Sequence, residues 1–238
     1  MEKNIYGYDP NSVEQTRTNV FPALMSKVYL WMTLALTMTG LTAYYVANNE
    51  SLIYTLISNN ILFFGLLIGE LILVGYFSAR IMHMSFATAG LLFAAYSILN
   101  GVTLSVILLA YTMESIASTF FITAGTFGAM SAIGLFIKRD LSAMGRFLFM
   151  ALFGLIIATL VNLFVASTTM SWAITYLGVF IFCGLTAYDT QKMKDILREY
   201  EYSGDTNVLK IALLCSLSLY LDFVNLFIHL LRIFGDRR

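Results

Sequence analysis

The sequence predicts an all-α polytopic membrane protein with seven transmembrane helices. Of its 238 residues, 59% are hydrophobic and only 12% are charged, whereas a soluble domain carries about 25% charged residues. The apolar residues also gather into runs long enough to cross a bilayer, whose hydrocarbon core is about 30 Å thick. In lipid the backbone groups must satisfy one another, so uninterrupted runs of this length are helices and not the shorter strands of a barrel.

Seven apolar segments follow one another along the chain. Their ranges are 28–47, 61–79, 86–111, 116–137, 147–166, 172–190 and 211–233. At 1.5 Å per residue the helices would be about 28 to 39 Å long, which suits membrane spans, the longer ones with some tilt. The third and fourth segments are separated only by residues 112–115, so we expect a tight antiparallel hairpin there.

The segments form one transmembrane domain, residues 28–233, between a polar N-terminal tail, 1–27, and a short basic C-terminal tail, 234–238. The N-terminal tail lacks the apolar core and the cleavage site of a signal peptide, so we expect a flexible tail. Residues 191–210 are predicted to form a long polar link between the sixth and seventh segments.

The basic residues indicate an orientation. Eleven of the 14 Lys and Arg residues fall in the N-terminal tail, at the entry to the first segment, and around the second, fourth and sixth connections; the other three lie at the C-terminal end. The positive-inside rule therefore places the N-terminus in the cytoplasm. Seven spans leave the basic C-terminus on the opposite side, and a last segment that re-enters the same face is the alternative. The net charge of zero gives no indication of nucleic-acid binding.

Small residues recur within two segments and predict close helix packing. They are Gly125, Gly128, Ala129, Ala132 and Gly134 in the fourth segment, and Gly178 and Gly184 in the sixth.

Three acidic residues lie within the apolar segments or at their ends: Glu70, Asp189 and Asp222. Asp222 is near the middle of the seventh segment, where a charge costs a few kcal/mol or more unless it is compensated. Asp189 is at the end of the sixth segment, where a carboxylate solvated by lipid headgroups is the alternative interpretation. For Glu70 the alternative is a helix-packing contact with a Tyr or Thr hydroxyl.

The seventh segment carries a polar stripe of Ser218, Asp222, Asn225, His229 and Arg232. Their spacing of four, three, four and three residues places them on one helix face. Such a face is costly in lipid, so we expect this helix to be central, or to line the axis of the bundle. No second His or Cys is spaced to form a metal site with His229, and a zinc or iron centre is not supported.

Arg80 follows the second segment and is expected at the same membrane level as Asp189. A bond between them would tie two helix ends together. Two neighbouring carboxyl groups do not readily both ionise, so a pair formed by Asp189 and Asp222 would share a proton and respond to pH. Asp222 lies about 16 Å into its segment, so a direct pair requires helix offset, helix tilt or a bridging water.

Three stretches resemble the Bax inhibitor-1 family in its bacterial branch. They are Gly-Leu-Thr-Ala-Tyr-Asp-Thr-Gln-Lys at 184–192, Lys-Arg-Asp-Leu-Ser at 138–142, and the long motif Leu-Ser-Leu-Tyr-Leu-Asp-Phe-Val-Asn-Leu-Phe-Ile-His-Leu-Leu-Arg-Ile-Phe-Gly at 217–235. The likeness extends over nearly the whole chain from Val28 onward. It implies a fold in which six helices wrap a central C-terminal helix, and a location in the bacterial inner membrane.

The resemblance also implies a pH-sensitive calcium leak, and in eukaryotic members suppression of cell death. The paired aspartates of the family correspond to Asp189 and Asp222, and its latch arginine to Arg80. Its acid in the second helix corresponds to Glu70 and its arginine in the last helix to Arg232. Calcium, as a transported or bound ion held by Asp189 and Asp222, and protons are then the expected ligands, and no cofactor is expected.

Two other classes of function remain open from the residues. One is a non-conducting regulatory or binding protein whose polar stripe only fixes helix register, with protein partners that the sequence does not identify. The other is an intramembrane aspartyl protease. The second acid of such proteases follows Gly-x-Gly, whereas here it follows Tyr220 and Leu221. We therefore predict that the protein is not an enzyme.

Overall fold

The fold is a bundle of helices, described in a computed structural model for residues 10–203 and 207–237, with side chains for 21–199 and 207–237. Within these ranges there are eight α-helices and one 3-10 turn at Ile81–His83. The helices are α1 (Pro10–Ala47), α2 (Glu50–Ser58), α3 (Asn60–Arg80), α4 (Phe86–Leu108), α5 (Met113–Phe136), α6 (Ser142–Val165), α7 (Thr168–Ser203) and α8 (Val208–Phe234).

Seven of these helices, all except α2, are long and apolar enough to cross a membrane. This confirms the predicted all-α fold with seven spans. The additional helix α2 was not predicted; it fills the connection between the first two spans. Asn side chains mark both of its ends: Asn49 accepts a hydrogen bond from the Leu52 amide, and Asn59 accepts one from the Leu62 amide at the start of α3. Asn at these N-cap positions favours two short consecutive helices over one continuous helix.

Helices α1 and α7 extend beyond the predicted apolar segments. Helix α1 begins at Pro10, so much of the predicted flexible tail is helical, while residues 1–9 lie outside the described part. Helix α7 continues to Ser203, so the predicted polar link at 191–210 is helical over most of its length. The two extensions contact each other, and the Arg198 guanidinium lies over the Phe21 ring at 5.0 Å from its centroid. This mutual packing stabilises helix beyond the apolar runs that the sequence makes visible.

Helix α8 occupies the centre of the bundle. In its most apolar stretch 72% of the residues are buried, against 11% for α3 and 6% for α6. It packs mainly on α7, α1 and α5, whereas α3 packs on α4 and α6 packs on α7. The expectation of a central C-terminal helix is therefore confirmed. Helices α3 and α6 are the least buried of the seven spans.

The C-terminal residues are fixed to the turn between α4 and α5. Asp236 accepts a backbone hydrogen bond from Thr112 at 3.1 Å, and its own amide donates to the Ser115 hydroxyl at 2.9 Å. Tyr111 and Arg237 form an antiparallel bridge. The predicted C-terminal tail is thus held at the end of the bundle where α4 ends and α5 begins.

The opposite end is connected by side chains of α7 and α8. Gln191 accepts from the Leu141 amide at 2.8 Å and donates to the Arg139 carbonyl at 2.9 Å, which joins α7 to the link before α6. Lys210 donates to the Met82 carbonyl at 3.2 Å, which joins the start of α8 to the end of α3. The second, fourth and sixth connections, which carry most of the basic residues, therefore meet at one end of the bundle.

Close helix packing depends on only some of the predicted small residues. A methyl group added at Gly134 would collide with the Ala187 carbonyl of α7, and one added at Gly178 would collide with the His229 ring. One added at Gly184 would lie 2.7 Å from Leu148. In contrast, nothing lies within 4 Å of the corresponding position at Gly125 or Gly128. The prediction of packing is confirmed at the first three positions and wrong at Gly125 and Gly128, where no neighbouring helix comes this close.

This difference gives a matched pair of variants in α5. Gly134→Ala should lower the free energy of unfolding by about 1–3 kcal/mol, because α5 and α7 must separate to admit the methyl group. Gly128→Ala adds the same methyl group in open space and should leave stability unchanged or slightly higher, since Ala is the better helix former. Thermal melts of the purified protein in one detergent would compare them, and equal melting temperatures for the two variants would contradict the assignment.

Candidate functional site

A cavity of about 610 Å³ runs beside the central helix and is lined by α3, α4, α6, α7 and α8. Most of its wall is apolar. Its polar and charged lining consists of Glu70, Tyr96, Asn100, Thr103, Thr159, Asp189, Ser218, Asp222, Asn225, His229 and Arg232. All five residues of the polar stripe on α8 therefore face this one space, as does each of the three acids from the apolar segments. We call it the axial cavity.

Asp222 is a buried side chain near the midpoint of α8. Its Oδ2 atom has no hydrogen-bond partner among the described residues. A buried carboxyl oxygen without a partner costs free energy that a satisfied one does not, because it has left water and gained nothing in exchange. Since Asp222 lines the axial cavity, water, a proton or a cation in that space can supply the missing partner.

Asp189 lies on α7 and accepts a hydrogen bond from the Ser218 hydroxyl at 2.9 Å. Ser218 is one helical turn from Asp222 along α8, so the two carboxyl groups face the cavity about one turn apart. They do not hydrogen-bond to each other. The expected position of Asp189 at a helix end is wrong, because α7 continues to Ser203 and Asp189 lies well within it. The Ser218 hydrogen bond limits the offset between the two aspartates along the bundle to about one helical turn.

Glu70 is buried on α3 with both carboxyl oxygens satisfied by α4. Thr103 donates to its Oε1 at 2.8 Å, and Asn100 donates to its Oε2 at 3.3 Å. Asn100 in turn accepts from the Tyr220 hydroxyl of α8 at 3.1 Å, and that hydroxyl lies 2.7 Å from Thr39 Oγ1 of α1. A continuous chain of buried hydrogen bonds thus joins α3, α4, α8 and α1.

His229 and Asn225 complete the α8 stripe in different ways. The His229 ring stacks on Phe182 of α7 with centroids 5.7 Å apart and lies against Gly178. Its Nδ1 atom has no hydrogen-bond partner in the described structure. Asn225 donates to the Leu221 carbonyl of its own helix at 2.8 Å. His229 is therefore a second residue of the axial cavity with an unused hydrogen-bonding position, although its side chain is only half-buried.

Of the two arginines of the predicted site, Arg232 lines the axial cavity and Arg80 does not. Arg232 is exposed in the last turn of α8 and lines the outer part of the axial cavity. Arg80 is exposed at the end of α3 and is not part of the cavity lining. Asp189 accepts from Ser218, and no ion pair joins it to Arg80 in this structure.

The described residues contain no cluster of three or more His, Cys, Asp or Glu side chains that could hold a metal ion. The donors close to the aspartate pair are all oxygens, from two carboxyl groups and the Ser218 hydroxyl. This set is too small to enclose Ca²⁺, which takes six to eight oxygen ligands, but it suits an ion that keeps part of its water shell.

The comparison with known families agrees with this architecture. A family model described as "Inhibitor of apoptosis-promoting Bax1" matches residues 22–238, which includes every predicted span and each residue of the candidate site. The chain belongs to the Bax inhibitor-1 family. Among individual relatives, the inner membrane protein YbhL of Escherichia coli K12 is 47% identical over 228 residues, which cover 96% of this chain and 97% of YbhL.

Other bacterial relatives match this Bax inhibitor-1 family chain at similar levels. An uncharacterized protein of Deinococcus radiodurans is 42% identical over 226 residues, covering 95% of this chain and 94% of its own length. Uncharacterized protein RP147 of Rickettsia prowazekii is 42% identical over 217 residues, covering 90% and 89%. The likeness therefore extends over whole chains and not over one motif.

Sequence reasoning missed the hydrogen-bond chain around Glu70. Asn100 and Thr103 are three residues apart, a spacing that places them on one face of α4, and this polar pair within an apolar segment was an available signal. Tyr220 and Thr39 gave no such signal, since a Tyr or Thr in a membrane span is common. Their role depends on how α1, α4 and α8 are rotated against one another, which the spacing along one helix does not reveal.

One acid outside the spans has a defined environment. Asp140, in the link before α6, accepts hydrogen bonds from the Ser142 side chain and from the Ser142 amide, the latter at 2.8 Å, and these hold its pKa below the usual range. Asp140 is fully exposed and stays ionised under mildly acidic conditions. A small fall in pH therefore leaves its charge unchanged.

Proposed function

We propose that this Bax inhibitor-1 family protein is a pH-sensitive leak channel or transporter for calcium or a similar cation in the bacterial inner membrane, with its N-terminus in the cytoplasm. The observation that carries the proposal is the unpaired Oδ2 atom of buried Asp222, facing a cavity that also contains Asp189 and Glu70. An acidic side chain that is buried within a membrane bundle without a protein partner marks the path of a mobile ion or proton that can pair with it. The inner membrane assignment is supported by the similarity to YbhL, which is named as a protein of that membrane.

The small number of oxygen ligands in the axial cavity favours passage of a cation over its tight binding. Carboxyl and hydroxyl oxygens suit a hard ion such as Ca²⁺, yet the aspartate pair and Ser218 offer few ligands. An ion held by a few oxygens and its remaining waters can enter and also leave, as conduction requires. Both carboxyl oxygens of Glu70 already accept hydrogen bonds. In this proposal Glu70 therefore attracts the cation at a distance and does not coordinate it.

Protonation supplies the regulation in this proposal. Asp189 and Asp222 face one cavity about a turn apart, and two nearby carboxyl groups resist carrying full negative charge together. Arg80 belongs to the proposal as a latch that pairs with Asp189 in a second, closed state, which requires the end of α3 to move toward α7. The closed state needs ionised Asp189 to pair with Arg80, so uptake of a proton releases this pair, and the leak should increase as the pH falls through the range in which the aspartates bind a proton.

Calcium flux into proteoliposomes at a series of pH values tests the proposal. Asp222→Asn and Asp189→Asn should each reduce the pH response at least several-fold, because the amide cannot ionise. Asp195→Asn is the matched control, since Asp195 is an exposed residue on α7, the helix of Asp189. Unchanged flux and unchanged pH response in both cavity variants would contradict the proposal.

A second candidate function has its own support. The chain from Thr39 through Tyr220 and Asn100 to Glu70 is a satisfied polar network of the kind that fixes helix register. It favours a non-conducting regulatory or binding protein. Absence of flux in the wild-type protein, together with a membrane partner that co-purifies, would select this second candidate.

A further inference from the structure

A second cavity, of about 880 Å³, opens at the end of the bundle where α4, α6 and α8 end and α7 begins. Two arginines, Arg232 and Arg237, line it, and the described residues of its wall include no Asp or Glu. We call it the terminal cavity. It shares Arg232 with the axial cavity but otherwise has mostly different walls.

The two guanidinium groups have no ion-pair or hydrogen-bond partner among the described residues. Asp236 lies between them in sequence, but its carboxyl group accepts from the Ser115 hydroxyl at 3.4 Å. Two of the neutral polar groups of the wall bond to Ser171: Asn162 donates to its hydroxyl at 2.7 Å, and Thr175 donates to its carbonyl at 2.8 Å. The arginines are the charged donors of this cavity, and they give it a positive charge.

The apolar part of the wall continues onto the lipid-facing surface. Leu163 of α6 lines the cavity and is mostly exposed, and the neighbouring Phe164 is almost fully exposed. Trp172 lies in the first turns of α7 and stacks on Tyr176 with centroids 5.8 Å apart. Trp and Tyr concentrate where a membrane meets water. A ligand that fills this space thus meets positive charge at one side and hydrocarbon surface at the other.

We propose that the terminal cavity binds the phosphodiester headgroup of an anionic phospholipid, with an acyl chain lying along α6. Guanidinium groups match phosphate oxygens in bidentate hydrogen bonds, and the amide groups at the beginning of α7 add partial positive charge. A ligand with net negative charge fits two unpaired arginines better than a zwitterionic lipid, whose own cation offsets its phosphate. A free phosphate satisfies the arginines but leaves the apolar wall uncovered.

Trp172 provides a direct reporter of binding. The chain contains two Trp residues, so Trp31→Phe leaves Trp172 as the single tryptophan, which is excited selectively over the tyrosines. The full-length protein with this substitution, in a non-ionic detergent, is titrated with short-chain phosphatidylglycerol, with phosphatidylcholine of the same chain length, and with inorganic phosphate. We expect saturable binding of phosphatidylglycerol at least about tenfold tighter than that of phosphatidylcholine, a factor that corresponds to one charge-assisted interaction.

Variants locate the site. Arg237→Gln should weaken phosphatidylglycerol binding about tenfold, and Arg139→Gln, which removes an exposed arginine at the opposite end of the bundle, should leave it unchanged. Arg232→Gln is the second test of the cavity if the first variant is unstable. Equal affinity for the two lipids, or unchanged affinity in both cavity variants, overturns the proposal. Saturation by inorganic phosphate with no tighter binding of phosphatidylglycerol overturns the lipid assignment and identifies a soluble phosphate as the ligand.

The binding assay does not depend on calcium flux, so its result and that of the leak experiment are separate. If both proposals hold, a headgroup bound at Arg232 offsets positive charge at the outer part of the axial cavity. Anionic lipid should then increase the leak in wild-type protein but not in the Arg237→Gln variant.

Discussion

Asp222→Leu is expected to raise the melting temperature of the protein while abolishing the pH-dependent leak that we propose. Asp222 is a buried carboxyl group with one oxygen unsatisfied, and replacement by an apolar side chain of similar size removes that cost. A gain of about 1–3 kcal/mol is expected, and in a protein of this size each kcal/mol corresponds to roughly 2–4 °C in Tm. Loss of function with a gain in stability is the signature of a group retained for a functional purpose.

Glu70→Leu is the matched comparison, because Glu70 is also a buried carboxyl group but has both oxygens hydrogen-bonded. Its removal leaves Asn100 without an acceptor, so this variant should melt at a lower temperature than wild type. Thermal melts of both variants in one detergent, with flux measured in parallel, provide the readout. A similar loss of stability in both would show that Asp222 is structural in the same sense as Glu70, and would favour the non-conducting candidate.

Tyr220→Ala should produce the largest loss of stability in the protein. Tyr220 is fully buried at the centre of the bundle, packs edge-on against Phe93 and Tyr96, and uses its hydroxyl to join α8 to Asn100 and Thr39. Truncation of a buried aromatic side chain typically costs about 3–5 kcal/mol. The result would be a protein that expresses poorly, or that melts well below wild type.

Tyr220→Phe separates the hydroxyl from the ring. It keeps the packing but removes the donor to Asn100, so a loss of about 1–3 kcal/mol is expected. Tyr96→Phe is the control, since Tyr96 is a buried neighbour whose hydroxyl makes no hydrogen bond within the described structure. If the two Phe variants have the same melting temperature, the hydrogen-bond chain through Tyr220 does not contribute to stability.

The seven spans and the central position of α8 could be predicted because they depend on local properties. An uninterrupted apolar run specifies a span by its length, and the repeat of Ser218, Asp222, Asn225, His229 and Arg232 specifies a face that lipid would not tolerate. These signals lie within one helix and need no knowledge of its neighbours.

The features that could not be predicted depend on how helices are rotated and aligned against one another. Gly128 and Gly134 look alike in sequence, yet only Gly134 faces a neighbouring backbone. The hydrogen-bond partners of Glu70 are on α4. One of them, Asn100, is held in place by Tyr220 of α8, which in turn bonds to Thr39 of α1. The extension of α7 to Ser203 depends on packing against α1 and not on its own apolar content.

The length of α7 has a mechanical consequence. At 1.5 Å per residue this helix is a single rod about 54 Å long, and it carries Asp189 near its middle and Lys194 and Arg198 on the arm that extends toward Ser203. A rod without a break transmits a tilt from one end to the other. We therefore expect a ligand that displaces this arm, whether a protein or charged lipid headgroups, to move the carboxyl group of Asp189 as well. Helix α7 thus joins the polar arm and the buried Asp189 in one unbroken helix.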